Sequence, residues 1–166
     1  MKYQHILNAI AGAYSLVNTT VLLDGVVQPP SSDWGSSSHG TLVYTATGYV
    51  SVVITTLVPE LRPVNVTWPP RTGQTDADWL LVGRHSLSYS GHMSISDDVP
   101  YARIPPTKKS GTVLHGPIIV SPVNSLEDTV MERNYTVLEA KGDGLYLKID
   151  FHTRSVESIL WWKKMD

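Results

Sequence analysis

The chain contains no cysteine, which removes disulfides, thiolate metal sites and cysteine nucleophiles together. Charge of either sign is also sparse: 17% of its 166 residues are Asp, Glu, Lys or Arg, and the formal net charge is −2. That balance offers neither the basic stripe nucleic acid requires nor a surface for anionic membranes. The basic pairs Lys108-Lys109 and Lys163-Lys164 read as solvated chain ends rather than patches. No apolar run approaches the roughly 20 residues of a transmembrane helix. The motif inventory has gaps too. There is no Gly-X-Ser-X-Gly elbow and no His-Glu-X-X-His pattern, and Gly142-Asp143-Gly144 is a hairpin turn, not a phosphate-cradling loop. His85, His92 and His115 lack the spacing of a metal set, so neither a metal nor a cofactor is expected. Asn18, Asn65 and Asn134 open Asn-X-Thr triplets, but glycosylation needs secretion. The first thirteen residues read as a short helix entering the fold, because Gln4, His5 and Asn8 interrupt any signal-peptide core. The expectation is a cytoplasmic protein with one domain over residues 1–166.

What the chain does have is strand chemistry. His39 to Leu57 reads as a hairpin: Thr41 to Thr45 and Tyr49 to Leu57 are β-branched and aromatic, and Ala46-Thr47-Gly48 turns between them. One face of the second strand carries Tyr49, Ser51, Val53, Thr55 and Leu57, the other Val50, Val52, Ile54 and Thr56. Both are partly apolar, so one should line an enclosed space. Tyr44 and Ser51 are expected to form cavity wall, with Gly40 and Gly48 as the bends that let the sheet curl.

The remaining segments repeat the pattern. Ala13 to Leu23 is a strand ended by Asp24-Gly25, with Val26-Val27 beyond that turn, and Pro29 to Ser38 is a loop. Val58 to Thr75, with four prolines and Trp68, is an irregular segment long enough to be a lid. Asp76 is the expected N-cap of a helix over Ala77 to Leu87. Strands follow at Ser88 to Ile95, Thr112 to Val120, Thr129 to Ala140, Leu145 to Phe151 and Ser158 to Lys163, with a loop over Ser96 to Ser110. An all-β meander of about 8–9 strands with one or two short helices most easily removes its edges by closing into an up-and-down antiparallel barrel.

Several motifs in order carry a resemblance: Gly12-Ala13-Tyr14-Ser15-Leu16, Gly40-Thr41-Leu42-Val43-Tyr44, Gly48-Tyr49-Val50-Ser51, Tyr89-Ser90-Gly91, Thr112-Val113-Leu114-His115, Arg133 to Tyr135, Gly142 to Leu147, and Trp162-Lys163-Lys164. Together they resemble the lipocalin-like domain family, small calyx-type barrels of bacteria and fungi, over nearly the whole chain. The family's opening motif usually has Trp where Tyr14 stands, and its closing motif Arg where Lys164 stands. The resemblance implies that Tyr14 and Lys164 meet to plug one end of the barrel. It also implies an interior that holds one small hydrophobic ligand. Association with secondary metabolism makes a cofactor-independent isomerase or cyclase the leading expectation, Diels–Alder chemistry included, on a polyketide or terpenoid intermediate. A non-catalytic carrier is the alternative.

Candidate residues follow from strand position. His115 shares a face with Val113 and is either a pocket base or donor, or a histidine satisfied by its neighbours. Arg133 is either an inward cation for a carboxylate, enol or carbonyl oxygen, or an ordinary outward charge. With Tyr89 these form the expected catalytic set. Tyr44, Ser51, Trp68, His92, Tyr135 and Trp161 are the expected binding residues. For the tyrosines the competing role is cross-strand packing, and for Trp68 it is anchoring the loop rather than covering the mouth. Trp161 and Trp162 alternate, so one faces in. The expected partner is a hydrophobic small molecule, with no nucleic acid or membrane and with homodimerisation left open.

Overall fold

A computed structural model describes residues 2–31, 33–97 and 105–166. A helix α1 (Gln4–Ile10) leads into β1 (Gly12–Leu23), and a tight turn at Asp24-Gly25 gives the short β2 (Val26–Val27). The hairpin of β3 (Ser38–Tyr44) and β4 (Tyr49–Thr56) follows, with Gly48 at φ 85° in its turn, a conformation glycine adopts without strain. A 3₁₀ turn (Pro59–Leu61) and a helix α2 (Asp76–Arg84) precede β5 (Ser86–Ser96). β6 (Ser110–Val120), a second 3₁₀ turn (Asn124–Leu126), β7 (Met131–Ala140), β8 (Gly144–His152) and β9 (Val156–Lys164) complete the described elements.

All strand pairings are antiparallel, and each barrel strand pairs with its sequence neighbour except where β1 skips β2 to reach β3. β9 pairs back onto β1 from Tyr14↔Lys164 to Leu23↔Val156, which closes eight strands into a barrel and leaves β2 as an extra strand on β1. Closure abolishes the free edges that an open meander of this length would expose. Strand β3 must approach β4 closely to curl. A Cβ on Gly40 would sit 2.5 Å from the carbonyl oxygen of Val53, so no larger residue fits there.

Two sequence expectations move. The N-cap of α2 is Thr75, not Asp76: its hydroxyl accepts from the Asp78 amide at 3.2 Å, while the Asp78 carboxylate accepts from the Thr75 amide at 3.0 Å. This reciprocal pair requires residues three apart, which Thr75 and Asp78 satisfy. The helix also stops at Arg84 rather than Leu87, because Ser86 and Leu87 pair with Thr55 and Ile54 of β4. The loop expected over Ser96 to Ser110 yields its ends to β5 and β6, and its stretch 98–104, Pro100 included, lies outside the described residues.

One end of the barrel is sealed. Ile6, Leu7 and Ile10 of α1 are fully buried against it. Gln4 Nε2 donates to the carbonyl of Ala46 at 2.7 Å, tying the helix to the β3–β4 turn. The expected plug is present: Lys164 Nζ lies 5.9 Å from the Tyr14 ring centroid and donates to the Ala11 carbonyl at 3.0 Å. The Tyr14 hydroxyl donates to the Ile10 carbonyl at 2.7 Å, and burial pushes its pKa up to about 12. Among the described residues no helix is long and apolar enough to cross a membrane.

Candidate functional site

Away from α1 the interior opens into a chamber of about 250 Å³. Its walls come from alternating inward residues, among them Leu42, Val52, Ile54, Ile149 and Leu160, with Trp34 and Leu126 reaching in from loops. The lining residues that carry polar atoms are Tyr89, His115, Arg133 and the indoles of Trp34 and Trp162. An apolar vessel with a few convergent polar groups is the usual form of a small-molecule site, and this one lies just below the usual range of about 300–1,000 Å³. Trp34, Phe151 and Leu160 also line an outer groove of about 320 Å³, so the chamber and groove meet at those side chains.

His115 is 2% exposed and sits between two tyrosines. Its Nε2 is 2.6 Å from the Tyr44 hydroxyl and its Nδ1 3.0 Å from that of Tyr89. Burial, reinforced by the positive charge of Arg133, pulls the imidazole pKa down to about 3. The ring is therefore neutral at pH 7, with one N–H and one lone pair. Donor accounting settles which nitrogen holds the proton. Tyr44 is buried, and among the described residues its hydroxyl meets only Nε2, so it donates there. Nδ1 then carries the hydrogen and donates to the Tyr89 oxygen. The hydroxyl hydrogen of Tyr89 is left over, on a residue that lines the chamber. Burial raises the Tyr89 pKa to about 12, partly offset by Arg133, and burial holds Tyr44 well above its ordinary value. Both remain O–H donors.

Arg133 turns inward, the less conventional of the two placements open to it. Its guanidinium carbon stands 4.3 Å from the Phe151 ring centroid, one N–H donates to the Glu132 carbonyl at 2.7 Å, and another reaches Met131 Sδ at 3.4 Å. Among the described residues no carboxylate pairs with it. Trp162 is 2% exposed, and its Nε1–H has no acceptor among the described residues. A buried donor left unpaired costs about 1–3 kcal/mol, and such groups are uncommon.

The structure thus brings Tyr44, Tyr89, His115 and Arg133 together and places the other sequence candidates elsewhere. Ser51 faces outward and accepts a hydrogen bond from Ser90 at 2.8 Å, because the register Tyr44↔Val50 puts Val50, not Ser51, on the inner face. His92 is also outside, with its ring 5.0 Å from that of Tyr49. Trp161 is on the outer face of β9 and Trp162 on the inner. Tyr135 is buried but does not line the chamber, and its hydroxyl donates to the Thr107 carbonyl at 2.5 Å. Trp68 is 85% exposed and packs edge-on against Trp79 of α2 at 6.5 Å, which is the anchoring role rather than the lid.

Sequence reasoning misses Trp162, Trp34, Met131 and Phe151 as chamber residues. For Trp162 a signal exists: the resemblance turns Lys164 inward with Tyr14, and Trp162 shares its strand parity. For Trp34, in a serine-rich loop, no periodic signal exists. The side chains of Asp150, His152 and Glu157 offer ligand atoms within 4.8 Å of one another. Asp150 is already engaged by Lys148 Nζ at 3.2 Å, His152 Nε2 at 3.0 Å and Asn134 Nδ2 at 3.1 Å, and none of the three acidic or imidazole groups lines the chamber.

A closed antiparallel calyx around one ligand-sized apolar chamber defines a domain that binds or processes small molecules. The chain belongs to the lipocalin-like domain family, whose model matches residues 11–165. No curated protein matches the chain.

Proposed function

We propose that this protein is a cofactor-independent isomerase or cyclase, of pericyclase type, acting in the cytoplasm on a hydrophobic polyketide or terpenoid intermediate. The observation that carries the reading is the buried Tyr44–His115–Tyr89 chain, which leaves one oriented hydroxyl hydrogen in an apolar chamber. A hydroxyl held by an imidazole donor has no freedom to turn away, so it is preorganised toward a substrate carbonyl. Donation to that carbonyl withdraws electron density from a conjugated π-system and lowers the barrier to ring closure. The walls meanwhile select one folded conformer, removing entropy that the reaction in water must lose at the transition state. His115 acts by positioning Tyr89, because a base whose pKa lies near 3 is poorly matched to proton abstraction at neutral pH. Arg133 supplies fixed positive charge where a carbonyl oxygen gains negative charge. A substrate larger than the chamber has the outer groove past Trp34 to occupy.

A carrier is the second reading, favoured by the same depressed histidine pKa, which leaves no base poised near neutral pH. The two differ in turnover. Purified protein incubated with the linear intermediate of its biosynthetic setting should accelerate closure and bias its stereochemistry. A rate and product ratio equal to buffer, with measurable binding, would establish the carrier instead.

A further inference from the structure

The chamber's polar groups are of one kind. Among its described lining side chains there is no carboxylate, no amide and no hydroxyl besides Tyr89. His115 has both ring nitrogens engaged by tyrosines. What remains is a pair of donor groups with hydrogens to spare: the Tyr89 O–H and the guanidinium of Arg133, which has no carboxylate partner among the described residues. A neutral ligand with a hydroxyl or amine would bring donors of its own, which this set cannot answer. A ligand carrying several lone pairs and a negative charge would answer both.

We propose that the chamber recognises a planar, delocalised two-oxygen anion on an otherwise apolar molecule, a carboxylate or the enolate of a 1,3-dicarbonyl, with the Tyr89 O–H as the specificity-determining donor and Arg133 as the charge. The inference deepens the reading of this chamber as the substrate site and does not depend on catalysis there. Arg133 supplies the charge, held by its position over the Phe151 ring and by its bond to the Glu132 carbonyl. Tyr89 supplies direction: His115 Nδ1–H fills one side of its oxygen, which leaves its own hydrogen for the ligand. Replacing an oxyanion by an alcohol leaves Arg133 facing a neutral oxygen, and replacing it by an amine puts like charges in the chamber.

The test uses the intact protein at pH 7 and paired probes followed by titration calorimetry: octanoate against 1-octanol and octylamine, and dimedone, ionised at that pH, against 3,3-dimethylcyclohexanone. Each anion should bind at least about 10-fold tighter than its neutral partner, as expected of a charge-assisted hydrogen bond. Octylamine should bind weakest. Tyr89→Phe should weaken the anions about 5–10-fold and change the alcohol's affinity less. Arg133→Gln should erase the preference. Which of octanoate and dimedone binds tighter identifies the oxyanion class. Equal affinity for octanoate and octanol together with equal affinity for dimedone and the ketone overturns the proposal, and so does a failure of both anions to bind at millimolar concentration. Both of those outcomes are read on the unmodified protein, so neither requires a variant to fold. Anion preference without turnover would retain this inference and remove the cyclase; turnover of a neutral substrate without anion preference would do the reverse.

Discussion

The two ends of the barrel use the same materials, a tyrosine, a cation and aliphatic side chains, and put them to opposite uses. At the sealed end the Tyr14 hydroxyl donates to the Ile10 carbonyl and Lys164 to the Ala11 carbonyl, while α1 fills the remaining volume. Both of those polar side chains are answered by the chain's own carbonyls. In the chamber, Tyr89 has its acceptor side filled by His115 and its hydrogen unspent, Arg133 has no carboxylate and Trp162 no acceptor among the described residues. Satisfied donors hold a fold together, and unsatisfied ones in a cavity mark where a ligand's atoms belong.

The comparison is broken most severely by emptying the sealed end. Ile10→Ala should lower stability by about 2–5 kcal/mol, as for a fully buried aliphatic, measured by urea unfolding. The folded fraction should keep its ligand preference, and a lost preference would mean that the two ends are not independent. Acid comes next. His115 has a folded pKa near 3 against 6.5 for the free side chain, so between those values the unfolded chain binds the extra proton. Its contribution is complete above pH 6.5 and is lost as pH falls toward 3, by up to roughly 5 kcal/mol. The fall in stability across that window should be shallower in His115→Gln than in the parent; parallel curves would show that His115 is not buried neutral.

The two tyrosines make the sharpest pair. Tyr14→Phe should cost about 1–2 kcal/mol of stability and leave ligand affinity alone, because it orphans a backbone carbonyl at the sealed end. Tyr89→Phe should cost about 1–3 kcal/mol, because it orphans the buried His115 Nδ1–H, and should in addition lower turnover by about 10–100-fold, since the hydrogen it removes is spent only on substrate. Thermal melts and kinetics on both variants read the difference. Smallest of all, Trp68→Ala should shift stability by under about 1 kcal/mol and leave probe affinity unchanged. A loss of affinity there would restore the lid.

Much of this architecture is local and could be read from residues. The β3–β4 hairpin announces itself through β-branched residues on either side of a glycine turn, and the turn at Asp24-Gly25 does the same for β1 and β2. Even the face of Ser51 was within reach. A turn of Ala46, Thr47 and Gly48 makes Thr45 and Tyr49 neighbours and so sets Tyr44 opposite Val50; Tyr44 and Ser51 therefore cannot share a wall. What composition hid was the choice among like residues. Trp68 sits among prolines as a lid might, yet α2 offers Trp79 as a nearer apolar surface. Trp34 looks like one more loop residue and lines the chamber.

The chain's order of polar and β-branched residues, with glycines where turns and close approach demand them, was enough to determine an antiparallel meander, while the aromatic–cation plug that ends it followed from the family resemblance. Alternation is a property of neighbours and survives without tertiary context. Which parity faces inward, and which hydrogen is free, are not. They were decided when β9 paired with β1 and carried Trp162 inside with Lys164, and when β3, β5 and β6 brought Tyr44, Tyr89 and His115 within hydrogen-bond reach. Only that meeting places one proton on Nδ1 and leaves the Tyr89 hydroxyl facing the chamber, because the tautomer of a buried histidine is set by its partners and not by its neighbours in sequence.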